Sequence, residues 1–370
     1  MAKCRMGKVG LVAAFLVGAP MVTGSVAAPT AASASQLAPA TCISGTPVVS
    51  APPSVGRLHG IVRPRVVSAS CSTAPGAGLA QSFASPLSVA SLPSTVDYGG
   101  GSPPLLPGSR STMGTANTPG AITVTPVYWI PSGTDPSLLS AQYRNLVNNF
   151  GVNLSLDSGK PTNSFAVLGQ YAGVTNQNGA SQTPRLLRYR IHAGSPIIDS
   201  SAFPADGCNV DPGSIYADNS GYSRCLTDTQ LSDELRAVVR GAALPVDSAH
   251  LYALFTPEGL EVCSDGFNSM CTPSNTPNAS GLCAYHSNFQ GSSTPNTLIY
   301  SVDPYPVWDS ATGYACNGSD QFPLGNPAAD VSISSYAHEI AEAITDPYGT
   351  AWIDTTGSEI GDLCAFNYGS

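Results

Sequence analysis

The texture of the chain changes near residue 118, and that change confines any compact fold to the residues beyond it. Residues 28–118 are rich in Ala, Ser, Pro, Gly, Thr and Val, hold no glutamate and contain a single aspartate, Asp97. Runs such as Ala51-Pro52-Pro53-Ser54 and Gly99-Gly100-Gly101-Ser102-Pro103-Pro104 bury too little apolar surface to offset the entropy of ordering them. The segment reads as a disordered linker or pro-region, with Cys42 and Cys71 either closing a loop inside it or pairing with nothing. Ahead of it, residues 1–27 have the plan of a signal peptide. Lys3, Arg5 and Lys8 make a basic start, Val9 to Val22 is mostly apolar, and Ser25-Val26-Ala27 places small residues at a cleavage site. Gly18 and Pro20 interrupt the apolar run, which is too short for a stable membrane span.

Export agrees with the cysteine content. Ten cysteines in a secreted chain point to disulfides. Cys4 leaves with the signal peptide, so nine remain, an odd number. The sequence stops six residues after Cys364, and a truncated C-terminus with the missing partner beyond it is the expectation. Only 11% of the residues are charged and the formal net charge is −9. Lysine occurs at positions 3, 8 and 160 alone. Such a chain has no electrostatic footprint for nucleic acid or anionic lipid. It suits a secreted, extracellular or wall-associated protein whose substrate is a peptide or a cell-wall or matrix component. Nothing in the sequence encodes an oligomeric state.

From 119 to 370 strands and helices interleave. Ile122 to Ile130 is β-branched and aromatic, as a core strand requires. Asp135 to Phe150 has helical spacing, with Leu138, Leu139, Tyr143, Leu146 and Val147 along one stripe. Strands are expected at Ser164–Tyr171, Leu186–Ile191, His250–Phe255 and Thr297–Val302. Thr227-Asp228-Thr229-Gln230 is a capping box ahead of a helix from Leu231 to Leu244. Residues 258–285 read as a loop-rich insert carrying Cys263, Cys271 and Cys283. The expected fold is α+β: a single domain with a mixed sheet backed by helices and a zincin-like helix at Asp330–Asp346, closed by Pro347.

That last helix carries the chemistry. In Ala337-His338-Glu339-Ile340-Ala341-Glu342, His338 and Glu342 are four residues apart and lie one above the other, with Asp346 next in the row. Ile333, Ala337, Ile340 and Ile344 occupy roughly the opposite side, so one face packs on a core while the other looks into a cleft. In His-Glu-x-x-His helices the histidines bind zinc and the glutamate between them handles the protons of water. Here Glu342 replaces the second histidine. Glutamate is scarce: of six in the chain, three lie between 339 and 359. Glu359 is the expected third metal ligand beside His338 and Glu342, with Asp362 behind it and Asp346 and Asp354 as rivals. Glu339 is the expected general base, and a histidine beside a disulfide, His286, is a second catalytic candidate. Zinc is the first expectation for the ion. Manganese or calcium gains ground because a His/Glu/Glu set is harder and more anionic than two histidines with one glutamate. A structural calcium site in the Asp354–Asp362 loop competes with this reading, as does a plain solvated acidic face.

The remaining histidines, His59, His192 and His250, lie apart from any acidic cluster. No Gly-x-Ser-x-Gly elbow and no phosphate-binding glycine loop occurs. Asn153, Asn278 and Asn317 head glycosylation triplets that matter only in a eukaryotic secretory route.

The C-terminal pattern as a whole is similar to a known family. Ala337-His338-Glu339-Ile340-Ala341-Glu342, Thr345-Asp346-Pro347, Ala351-Trp352 and Glu359-Ile360-Gly361-Asp362-Leu363-Cys364 resemble the signature of the exordium-like (phosphate-induced protein 1) proteins. Cys283-Ala284-Tyr285-His286 and Val127-Tyr128-Trp129 resemble its other landmarks, over roughly 120–364. The resemblance implies a secreted wall- or matrix-associated protein, linked in plants to growth signalling, and supplies no enzymatic activity. Metal-dependent hydrolysis by the His-Glu-x-x-Glu helix is therefore the leading functional expectation, a peptidase above all. A non-enzymatic extracellular binding or signalling protein with a structural metal or polar site is the alternative.

Overall fold

The computed structural model describes residues 121–173, 190–210, 221–247, 249–267, 270–273, 281–290, 297–309, 322–349, 351–354 and 358–362, with short pieces at 59–62, 97–98, 185–186, 313–314, 316 and 365. Its centre is a seven-stranded mixed sheet: β1 (His59–Val62), β2 (Ile122–Trp129), β3 (Ile191–Ala193), β4 (Ile197–Asp199), β5 (His250–Phe255), β6 (Ala284–Gln290) and β7 (Thr297–Asp303). The order is β1-β6-β7-β5-β2-β3, and β4 also pairs with β2. β7, β5 and β2 run parallel, as do β2 with β3 and β4, whereas β6 is antiparallel to both β7 and β1.

Side chains alternate across this sheet with period two, and both faces are covered. Ile122, Val124, Tyr128, Leu251, Ala253, Phe255 and Ile299 point to one face, where helices α1 (Ala141–Leu156) and α3 (Pro327–Thr345) pack. Val127, Trp129, Tyr252, Leu254, Leu298, Tyr300 and Val302 point to the other, covered by α2 (Asp228–Gly241). This is the expected α+β domain with a mixed sheet backed by helices, the helices being divided between its two faces.

The caps show why the helices start where they do. Ser140 accepts from the amide of Tyr143 and opens α1, preceded by a 3-10 turn at Pro136–Leu139, so the expected 135–150 helix is shifted toward the C-terminus. Thr227 and Gln230 form the expected capping box of α2. Asn326 accepts from Ala329 and Pro327 occupies the first turn, so α3 begins earlier than expected.

Three local expectations are corrected. Ser164–Gln170 is a 3-10 helix, not a strand, because Asn163 caps the amide of Phe165 and lets Phe165 and Leu168 reach the core three residues apart. Residues 186–191 are not one strand: Arg185–Leu186 and Ile191–Ala193 pair with different partners. The 258–285 insert contains a strand, Leu260–Cys263, parallel to Arg224–Thr227.

Two pieces of the expected linker are strands as well. β1 forms a sheet edge with His59 opposite His286, and Asp97–Tyr98 pairs with Trp352–Ile353. The rest of 28–118, the expected signal peptide, Cys42, Cys71 and Cys364 lie outside the described residues. Disulfides join Cys208 to Cys225, Cys263 to Cys271 and Cys283 to Cys316, so Cys283 has the expected disulfide. Among the described residues no helix is long and apolar enough to cross a membrane.

Candidate metal centre

α3 lies across β6 and β7, and the centre is built between helix, sheet and the residues after the helix. The period of β6 turns His286 toward α3, and that of β7 turns Ser301 and Asp303 the same way. The helical period brings His338, Glu339 and Glu342 down from the other side. The acidic face of α3 is thus not an open cleft wall. His286, Glu339 and Glu342 are wholly buried, and Glu359 is 2% exposed. His338 and Asp362 keep some exposure, at 10% and 25% of their side chains.

Two sets of three donors form here, each with its ligand atoms within 4.8 Å of one another. The first is His338, Glu342 and Asp362, on the exposed side: His338 Nε2 stands 3.0 Å from Glu342 Oε1 and 3.6 Å from Asp362 Oδ1. The second is His286, Glu339 and Glu342, sealed from solvent. Glu342 belongs to both.

The structure thus brings His338 and Glu342 together with Asp362, the residue expected behind the ligands. Glu359 sits on the sealed side instead, with Oε1 3.7 Å from His286 Nε2. Asp346 and Asp354 enter neither set. Asp346 ends α3; its Oδ1 accepts from Ala351 and its carbonyl faces His286 Nε2 at 3.0 Å. Asp354 accepts from the amide of Ser358 and holds the last turn.

Backbone contacts fix the shared carboxylate. The amides of Gly361 and Asp362 both donate to Glu342 Oε1, at 2.9 and 3.1 Å. This close approach needs a glycine: a Cβ on Gly361 would lie 2.8 Å from Glu342 Oε1 and from two atoms of the His338 ring. The amide of Glu359 in turn donates to Asp362 Oδ2 at 3.0 Å.

Burial dominates the electrostatics. It pushes the Glu339 carboxyl well above the usual range, and Glu342, Asp303, Glu359 and Asp362 add to the rise. Glu342 is raised by burial against the opposing pull of His338. Burial disfavours the His338 imidazolium, yet Glu342 and Asp362 outweigh it and lift the group to about 10. Asp303, 1% exposed and accepting from the Ser301 hydroxyl at 2.8 Å, is raised by burial to about 7. Sequence reasoning missed it. The available signal was an aspartate two residues from a serine in a core strand, which places both on one face.

The residues fit a divalent cation. One oxygen each of Glu339 and Glu342, both buried, has no hydrogen-bond partner, which is costly unless something positive lies between them. A histidine with two or three carboxylates is a donor set for zinc or manganese. The remaining contacts hold these side chains in place, as hydrogen-bonded neighbours do around metal ligands.

No family model matches the chain, and no solved structure matches it. Among curated proteins it is similar to Protein EXORDIUM-like 5 of Arabidopsis thaliana, at 26% identity over 169 residues. That match covers 42% of this chain and 44% of the plant protein, so the chain spans less than half the length of this relative.

Proposed function

We propose that this chain is a secreted metal-dependent hydrolase of peptide bonds, with its ion held by His338, Glu342 and Asp362. The observation that carries the reading is the convergence of these three side chains at the edge of an otherwise sealed centre. A sealed donor set suits a structural ion, whereas a catalytic one keeps a position for water and substrate. A divalent cation there polarises a carbonyl and makes water easier to deprotonate. Glu342, anchored by two backbone amides, orients His338. Glu339, next along the helix, is the proton carrier: its Oε2 is 3.2 Å from His286 Nδ1, and burial raises its affinity for protons. Export is supported by the disulfides and by the secretory plan of residues 1–27.

The test is hydrolysis of a mixed peptide library by the purified protein, with and without chelator, for wild type, His338→Ala and Glu339→Gln. Chelator-sensitive cleavage lost in both variants is the expected result. Cleavage that survives both substitutions, or a wild type that binds no metal, refutes it. A non-enzymatic reading is favoured by one observation: Glu342 and Asp362 tie residues 358–362 to α3, so an ion here would lock the end of the domain. Chelation that lowers Tm in a protein cleaving no library peptide would select that alternative.

A further inference from the structure

We infer that the centre holds two divalent cations, the second in the sealed set of His286, Glu339 and Glu342, with the Glu342 carboxylate shared between them. The inference rests on the hydrolase reading and changes one role within it, making Glu339 a ligand instead of a proton carrier.

The hydrogen bonding of His286 carries the argument. Its Nε2 faces two acceptors, the Asp346 carbonyl at 3.0 Å and Glu359 Oε1 at 3.7 Å, so Nε2 bears the proton. In a neutral ring Nδ1 is then a lone pair, and it faces Glu339 Oε2 at 3.2 Å. Two lone pairs at that distance repel unless a proton or a cation lies with them. An imidazole donating one N–H to a carbonyl while offering the other nitrogen is the usual posture of a metal-bound histidine.

The unpartnered atoms agree. Glu339 Oε1 and Glu342 Oε2 lack hydrogen bonds and are buried in side chains with no exposure. A proton between His286 and Glu339 Oε2 would leave both of those oxygens unsatisfied, whereas the three residues bring one donor atom each within 4.8 Å of one another, the spacing a shared cation needs. Charge points the same way. Glu339, Glu342, Asp362, Asp303 and Glu359 place five carboxylates around the centre, and His286 and His338 face them. Protonating both imidazoles offsets two charges but removes both as ligands. Divalent ions favour the ionised form of the buried carboxyl groups and keep the imidazoles as donors. A shared carboxylate is compatible with two ions about 3.5–4 Å apart, the ordinary spacing of paired hydrolytic metals.

The experiment is metal counting. The full purified chain is stripped with chelator, re-equilibrated with zinc or manganese alone, gel-filtered and analysed for ions per chain. Wild type is expected to hold two, Glu339→Gln one, Asp362→Asn one and Glu342→Gln none. His286→Asn, a smaller change to the sealed set, is expected to hold one, and circular dichroism checks that each variant is folded. One ion in wild type, still one in both Glu339→Gln and His286→Asn, overturns the second site and leaves the hydrolase reading standing. No ion in wild type overturns both.

Discussion

Gly361→Ala tests the packing of the centre without replacing a charged group. The new Cβ would lie 2.8 Å from Glu342 Oε1 and from Cε1 and Nδ1 of His338, closer than real Cβ contacts come. Glu342 is buried and held by two amides, so its carboxylate does not swing clear. The 358–362 segment must move away instead. Overpacking of this kind costs about 1–3 kcal/mol. Stretching the two amide–carboxylate bonds adds to that, since each such bond contributes about 1.5–3 kcal/mol. For a domain of this size, 1 kcal/mol shifts Tm by about 2–4 °C. A loss of about 5–10 °C is expected, with weaker retention of metal. Gly151→Ala is the internal control. It lies in α1 with nothing within 4 Å of its added Cβ, and alanine is favoured over glycine in a helix by about 0.5–1 kcal/mol. Differential scanning calorimetry of both variants gives the answer. A Gly361→Ala transition at or above that of Gly151→Ala would refute the close approach.

Asp303→Asn should stabilise the metal-free protein near neutral pH. The folded-state pKa is raised to about 7, so the buried Asp303 carries no ionisation penalty while it is protonated in both states. Its penalty grows as pH rises from the ordinary carboxylate range to about 7, and it is constant above that. The variant's advantage in urea denaturation should vanish near pH 4, and an advantage that does not vary with pH would count against the burial argument. His338 has a raised pKa as well, to about 10, so in chelated protein its contribution is complete below pH 6.5 and lost as pH climbs toward 10. Stability of His338→Gln measured over that window should fall less steeply than wild type. On the far face, Tyr285 and Tyr300 both donate to Asp228 Oδ1, at 2.9 and 2.8 Å. Tyr300→Phe should destabilise by about 1.5–3 kcal/mol by removing a bond to a half-buried carboxylate, with ion content unchanged. Equal ion loss in that variant would mean the two regions are not independent.

Much of this was legible in the sequence where local chemistry decides. The capping box at Thr227, the core strands at Ile122 and His250, and the amphipathic α3 depend on residues a few positions apart. The errors lie where tertiary context rules. Ser164–Gln170 is apolar enough for a strand, yet an asparagine cap and two core contacts wind it into a 3-10 turn. The helical row correctly aligns His338 with Glu342, but spacing is silent on which later acid folds back. Asp362 arrives because the glycine before it allows the chain against Glu342, and Glu359, three residues earlier, falls to the His286 side. Asp303 contributes from a strand that nothing in the helix motif announces.

The most direct measurement is an anomalous difference map from crystals of the full chain equilibrated with zinc. A peak within bonding distance of His338, Glu342 and Asp362, absent from Glu342→Gln crystals, is the predicted result. A map with no density among those side chains, or density only at the protein surface, would contradict a metal centre at the end of α3.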